Sequence, residues 1–128
     1  MLNAKFRYVG IRVKDLEESV EFYTKFLGMK VKGRARTEQT KGDEVSLESS
    51  DGSFEIELNH YDEDSPYNFP YQVGEGLDHL AFAVEDLDAT LAEAQKMGYP
   101  MKADVKATNS RWAFVEDPNG IWIELFKG

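Results

Sequence analysis

The chain has 128 residues, two of them histidine (His60 and His79) and none cysteine. Thiol nucleophiles, disulfides, zinc ribbons and iron–sulfur clusters are thereby excluded. Metal ligation would then fall to histidine and carboxylates. His79 opens the strand-like run His79-Leu80-Ala81-Phe82-Ala83-Val84. Side chains alternate between the two faces of a strand, so His79, Ala81 and Ala83 lie opposite Leu80, Phe82 and Val84. In Ile121–Phe126, Glu124 shares a face with Trp122 and Phe126, opposite Ile121, Ile123 and Leu125. In Phe54–Asn59, Glu57 shares a face with Glu55 and Asn59, and in the first strand Tyr8, Gly10 and Arg12 lie opposite Val9, Ile11 and Val13. One imidazole and two carboxylates suit a borderline divalent ion: Zn²⁺ or Ni²⁺ first, then Co²⁺ or Mn²⁺. An ion would also explain carboxylates on strands that otherwise look buried, since unpaired buried charge is costly. The plainer reading makes them exposed sheet-face carboxylates, as Glu55 is, and places His60 on the opposite face or in a linker.

The elements that must position these groups come in two copies. Val13, Asp15 and Leu16 match Val84, Asp86 and Leu87 at one constant offset, which also relates Tyr8 to His79. Glu57 and Glu124 occupy equivalent places before a Leu. Apolar spacing predicts a helix over 15–27, capped by Asp15 with Glu18 three residues on and lined by Leu16, Val20, Tyr23 and Leu27. A second helix is predicted from Asp86, burying Leu87, Leu91, Ala94 and Met97 and stopped by Gly98 and Pro100. Strands are expected at Met29–Ala35, Glu44–Glu48 and Phe54–Asn59, and again at Met101–Lys106, Arg111–Glu116 and Ile121–Phe126. Each copy reads strand–helix–strand–strand–strand, an α+β pattern. The expected organisation is a first βαβββ module over 1–62, a linker over 63–76 and a second module over 77–128, together one domain. Two such sheets curved towards one another would bring Tyr8, Glu57, His79 and Glu124 to a common locus.

Composition narrows the partners. Net charge is −9, from 15 basic and 24 acidic residues, and a net-acidic chain repels phosphate backbones, so nucleic acid is not expected. No apolar run approaches the length of a membrane span. The N-terminus has no signal-peptide core, so a cytoplasmic location is expected.

Several runs together resemble the glyoxalase I branch of the vicinal oxygen chelate (glyoxalase–bleomycin resistance–dioxygenase) superfamily. They are Arg12-Val13-Lys14-Asp15-Leu16, Ser19–Tyr23, Phe26-Leu27-Gly28-Met29, Ile56-Glu57-Leu58, Asp78-His79-Leu80-Ala81-Phe82, and Phe114–Gly120 through Ile123-Glu124-Leu125. The resemblance implies paired βαβββ modules making cup-shaped mixed sheets around one divalent metal, in a homodimer whose sites lie between chains. It assigns the metal to Glu57, His79 and Glu124. The fourth family position, a His or Gln, falls on Tyr8, and a phenol is a poor ligand at neutral pH. That leaves three protein ligands plus water. The implied reaction isomerises a 2-oxoaldehyde hemithioacetal, methylglyoxal plus a thiol, through an enediolate. Glu124 is implied as the base and Glu57 as ligand or second base. Arg12 matches a family arginine position, so it is the first candidate for binding substrate, with Tyr8, Trp122 and Arg111 beside it. Lys30, Lys32, Arg34 and Arg36 could also reach the mouth. Two other readings stay open: a metal-free small-molecule or antibiotic-binding protein, and another metal-dependent enzyme of the superfamily such as an epimerase. Iron-type ring cleavage ranks last, because it typically needs two His and one carboxylate and this locus offers one His and two carboxylates.

Overall fold

The structure is a computed structural model, and it describes residues 7–75, 77, 79–101 and 112–128. The chain divides into two compact units, the first ending at Pro70 and the second starting at Tyr71.

In the first unit, β1 (Val9–Arg12) leads into α1 (Leu16–Glu21). Asp15 caps that helix, its carboxylate accepting from the Glu18 N–H at 2.9 Å. A side-chain oxygen here satisfies an amide that has no partner within the helix. The regular helix is shorter than its apolar spacing predicts. From Phe22 to Phe26 the chain widens into a π-type turn, with Leu27 N–H bonded to Phe22 O at 3.2 Å. The wider turn places adjacent Phe22 and Tyr23 both fully inside, rings edge-on at 5.0 Å. Helical spacing alone puts Phe22 outside the face lined by Leu16, Val20, Tyr23 and Leu27. Then follow β2 (Lys30–Thr37), β3 (Gly42–Glu48) and β4 (Glu55–Tyr61). The sheet order is β1-β4-β3-β2, with β1 and β4 parallel and the other pairs antiparallel. Ile11, Val45, Leu47, Ile56 and Leu58 are buried on one face, as alternation requires.

The second unit repeats this order. β5 (His79–Val84) precedes α2 (Leu87–Met97), capped by Asp86 on the Ala89 N–H at 2.9 Å and closed by Gly98 at φ 84°. A residue with a Cβ pays steric strain at that φ, which is why glycine ends the helix. β6 (Trp112–Glu116) and β7 (Trp122–Lys127) complete a sheet of order β5-β7-β6, with β5 and β7 parallel. Met101 bridges Val115 on the far side of β6, where β2 stands in the first unit. The rest of the expected strand over 101–106 lies outside the described residues. Val115, Ile123 and Leu125 are fully buried on the inner face. The result is an α+β fold of two repeated modules, and the repeat extends to register. Gly10 pairs with Glu57 as Ala81 pairs with Glu124. Among the described residues, no helix is long and apolar enough to cross a membrane.

Candidate active site

His79 is the first residue of β5, and its direct cross-strand partner on β7 is Trp122. Glu124 lies two positions further along, opposite Ala81 on one side and Phe114 on the other. The imidazole and carboxylate meet diagonally, His79 Nε2 to Glu124 Oε2 at 3.4 Å, both partly exposed. A charge-assisted N–H···O bond is shorter, about 2.7–2.9 Å. Two donors each about 2.0–2.1 Å from one tetrahedral ion stand about 3.3 Å apart. The observed separation is therefore within the span of two ligands of one cation. Nitrogen and oxygen donors are also the chemistry a borderline ion takes. Ala81 beside Glu124 keeps that flank open.

The same face carries Trp122 and Phe126, both more than a third exposed, and Phe114. Phe114 stands edge-on to the His79 ring, centroids 5.3 Å apart at 89°, and packs on Trp122 at 5.5 Å. Sequence reasoning had not singled out Phe114 as a site residue. The available signal was its place between buried Ala113 and Val115, which turns it to the outer face.

In the first unit the corresponding face is polar. Glu57 is half-buried on β4 between Gly10 and Ser46. Tyr8, at the repeat position of His79, is 45% exposed. Arg12 is half-buried, and its guanidinium donates to Asn68 Oδ1 at 3.2 Å and to the Phe69 carbonyl. The residue expected to bind substrate thus also holds the 68–69 segment. Arg111 lies outside the described residues. Lys32 ion-pairs with Glu55 at 2.7 Å, which raises the lysine's pKa through the hydrogen bond and the carboxylate charge. Arg34 instead grips Glu17 with two nitrogens at 2.9 and 3.1 Å. Arg36 joins Glu38, Asp43 and Asp62, so these two arginines serve carboxylate networks of their own. His60 is half-buried opposite Asp43. Among the described residues, no group of three or more His, Asp or Glu side chains is placed to hold a metal ion within the chain. His79 and Glu124 form the pair in the second unit, and Glu57 belongs to the first.

A probable lactoylglutathione lyase of Vibrio parahaemolyticus is 32% identical, the match covering 99% of this chain and 93% of that protein. The structure of the trypanothione-dependent glyoxalase I of Leishmania major superposes with a TM-score of 0.79 at 31% identity, covering 98% of this chain and 87% of that one. TnmS3, an antibiotic-binding protein from Streptomyces, shares the fold at a TM-score of 0.72 and 20% identity, over 99% and 98% of the two chains. The model of the Glyoxalase/Bleomycin resistance protein/Dioxygenase superfamily matches residues 5–125, and the chain belongs to that superfamily.

Proposed function

We propose that this protein is a metal-dependent, glyoxalase I-like lyase that isomerises the hemithioacetal of a 2-oxoaldehyde and a thiol. The His79–Glu124 pair carries the reading, because its 3.4 Å spacing is compatible with two donors sharing one ion. The lactoylglutathione lyase name of a 32% identical relative supports the reaction class. Glu57 is the third ligand, on the grounds that its register against Gly10 repeats that of Glu124 against Ala81. When bound, a divalent cation supplies Lewis-acid stabilisation of the negative charge that develops beside a carbonyl. His79 acts as a neutral imidazole donor. Glu124 takes the proton from the carbon next to the carbonyl and returns it to the adjacent carbon, which calls for an ionised carboxylate with room beside it. Ala81 provides that room. Tyr8 and Arg12 offer a hydroxyl and a guanidinium to the substrate's polar groups, and Trp122 offers an apolar wall. In this reading two copies pair, and Glu57 of one chain meets His79 and Glu124 of the partner subunit.

The test is elemental analysis of protein purified without added metal, followed by turnover of the methylglyoxal–glutathione hemithioacetal with Zn²⁺ or Ni²⁺ supplied. About one ion per site, lost in His79→Ala and Glu124→Gln, is expected. A wild-type protein that takes up no divalent ion refutes the reading. It then favours metal-free binding of a small molecule, which the tyrosine standing at the repeat position of His79 supports.

A further inference from the structure

We propose that Phe114 is a positioning residue: its ring fixes the His79 imidazole so that Nε2 faces Glu124, and this sets the affinity of the pair for a cation. The proposal rests on the metal-binding reading above. It starts from a feature of the sheet. His79 and Glu124 are not cross-strand partners, because His79 pairs with Trp122 and Glu124 with Ala81. Their contact is diagonal, so backbone pairing alone does not aim one at the other. An imidazole at the first position of an edge strand has several open rotamers, and ordering it costs side-chain entropy.

The ring of Phe114 removes that freedom. Phe114 lies on β6, directly opposite Glu124, while His79 lies on β5, on the other side of β7. Two strand spacings amount to about 10 Å. The ring centroids are nonetheless 5.3 Å apart, so the two side chains between them span the width of β7. Their interplanar angle of 89° is the favoured edge-to-face arrangement. Trp122 braces Phe114 from the neighbouring row at 5.5 Å and 56°. The Phe114 ring lies against the imidazole, and contacts outside the ligand set tune a metal ligand's affinity.

The experiment pairs aromatic NMR of metal-free protein with Co²⁺ titration of the same samples. The chain has two histidines, so His79→Gln identifies the His79 ring signals unambiguously. Wild-type protein should show cross-relaxation between the Phe114 and His79 rings and one imidazole rotamer. Phe114→Leu should abolish the single rotamer and weaken Co²⁺ binding about tenfold, while Phe114→Tyr, which keeps the ring, should restore both. Trp122→Leu leaves Phe114 in place without its brace and should give an intermediate loss, which keeps the test valid if Phe114→Leu folds poorly. Unchanged His79 signals, or unchanged Co²⁺ affinity, in a folded Phe114→Leu protein overturns the proposal. Absence of Co²⁺ binding by wild-type protein overturns the metal reading and the affinity half of this inference, and the NMR arm then decides the ring contact.

Discussion

Replacing Asp117 with alanine should be the costliest single change in the turn that sets the register of β7, and so the position of Glu124. Asp117 is 3% exposed. Its Oδ1 accepts from the backbone N–H groups of Asn119 and Ile121, each at 2.8 Å, and its Oδ2 accepts from Asn119 Nδ2 at 2.9 Å. Asp117 N–H in turn bonds to Ile121 O at 2.9 Å, which closes the five residues between Glu116 and Trp122. Hydrogen bonds to a charged group contribute about 1.5–3 kcal/mol each, and a buried donor left unpaired costs about 1–3 kcal/mol. Water can reach part of the emptied site, so about 3 kcal/mol is the expected loss for Asp117→Ala. Asp117→Asn keeps a carbonyl oxygen for the two backbone donors and loses only the second acceptor, an expected cost of about 1 kcal/mol. Unfolding entropy scales as about 2.1 cal/mol/K per residue, or about 0.27 kcal/mol/K for 128 residues. The predicted drops in Tm are therefore about 11 °C for alanine and about 4 °C for asparagine. Differential scanning calorimetry at neutral pH measures both. If the alanine protein melts within about 3 °C of wild type, or if the two variants lose equally, this account of the turn is wrong.

Asp15→Ala and Asp86→Ala should each cost about 1 kcal/mol in urea unfolding, and the double variant should cost their sum, because the two caps serve helices in separate units. The Asp51 carboxyl is held down to about 2 by hydrogen bonds from Ser53 and Ser49. Its contribution to the turn is complete above the ordinary value of 3.8 and is lost as pH falls through about 2, so the Asp51 carbon signal should titrate there and move upward in Ser53→Ala. Tyr8→His places an imidazole at the repeat position of His79 and should tighten Co²⁺ binding about tenfold; an unchanged titration would remove Tyr8 from the site. If the site is shared between chains, mixing inactive Glu57→Gln and Glu124→Gln proteins should recover about a quarter of wild-type turnover, since half the dimers are mixed and each has one intact site. No recovery after proven subunit exchange would place the site within one chain.

Much of this architecture was legible in the residues, and what was legible is local. Asp15, Asp86 and Gly98 act at the helix ends where their types point, because a cap bonds to an amide three residues away and a left-handed stop needs only the missing Cβ. Alternation sorted β1, β4, β5 and β7 into a more covered and a more open face, since a strand has a period of two whatever it pairs with. The offset relating Tyr8 to His79 reappears as matched register, Gly10 on Glu57 and Ala81 on Glu124, because duplicated elements fold under duplicated constraints.

Other features depend on neighbours distant in the chain, and only the tertiary structure decided them. The π-type turn at Phe22–Phe26 answers to a core that takes in two adjacent rings. An irregularity in the β2–β3 pairing between Val31 and Gly33 sets Lys32 against Glu55 while Arg34 goes to Glu17, a separation the composition of β2 does not show. Arg12 finds its partners 56 and 57 residues away in Asn68 and Phe69. Phe114 and His79 stand on strands either side of β7, and their rings still meet over it. Residue types state which donors and rings exist; which of them meet is settled by strand order and packing, where the free energy of a contact depends on every element that brings it together.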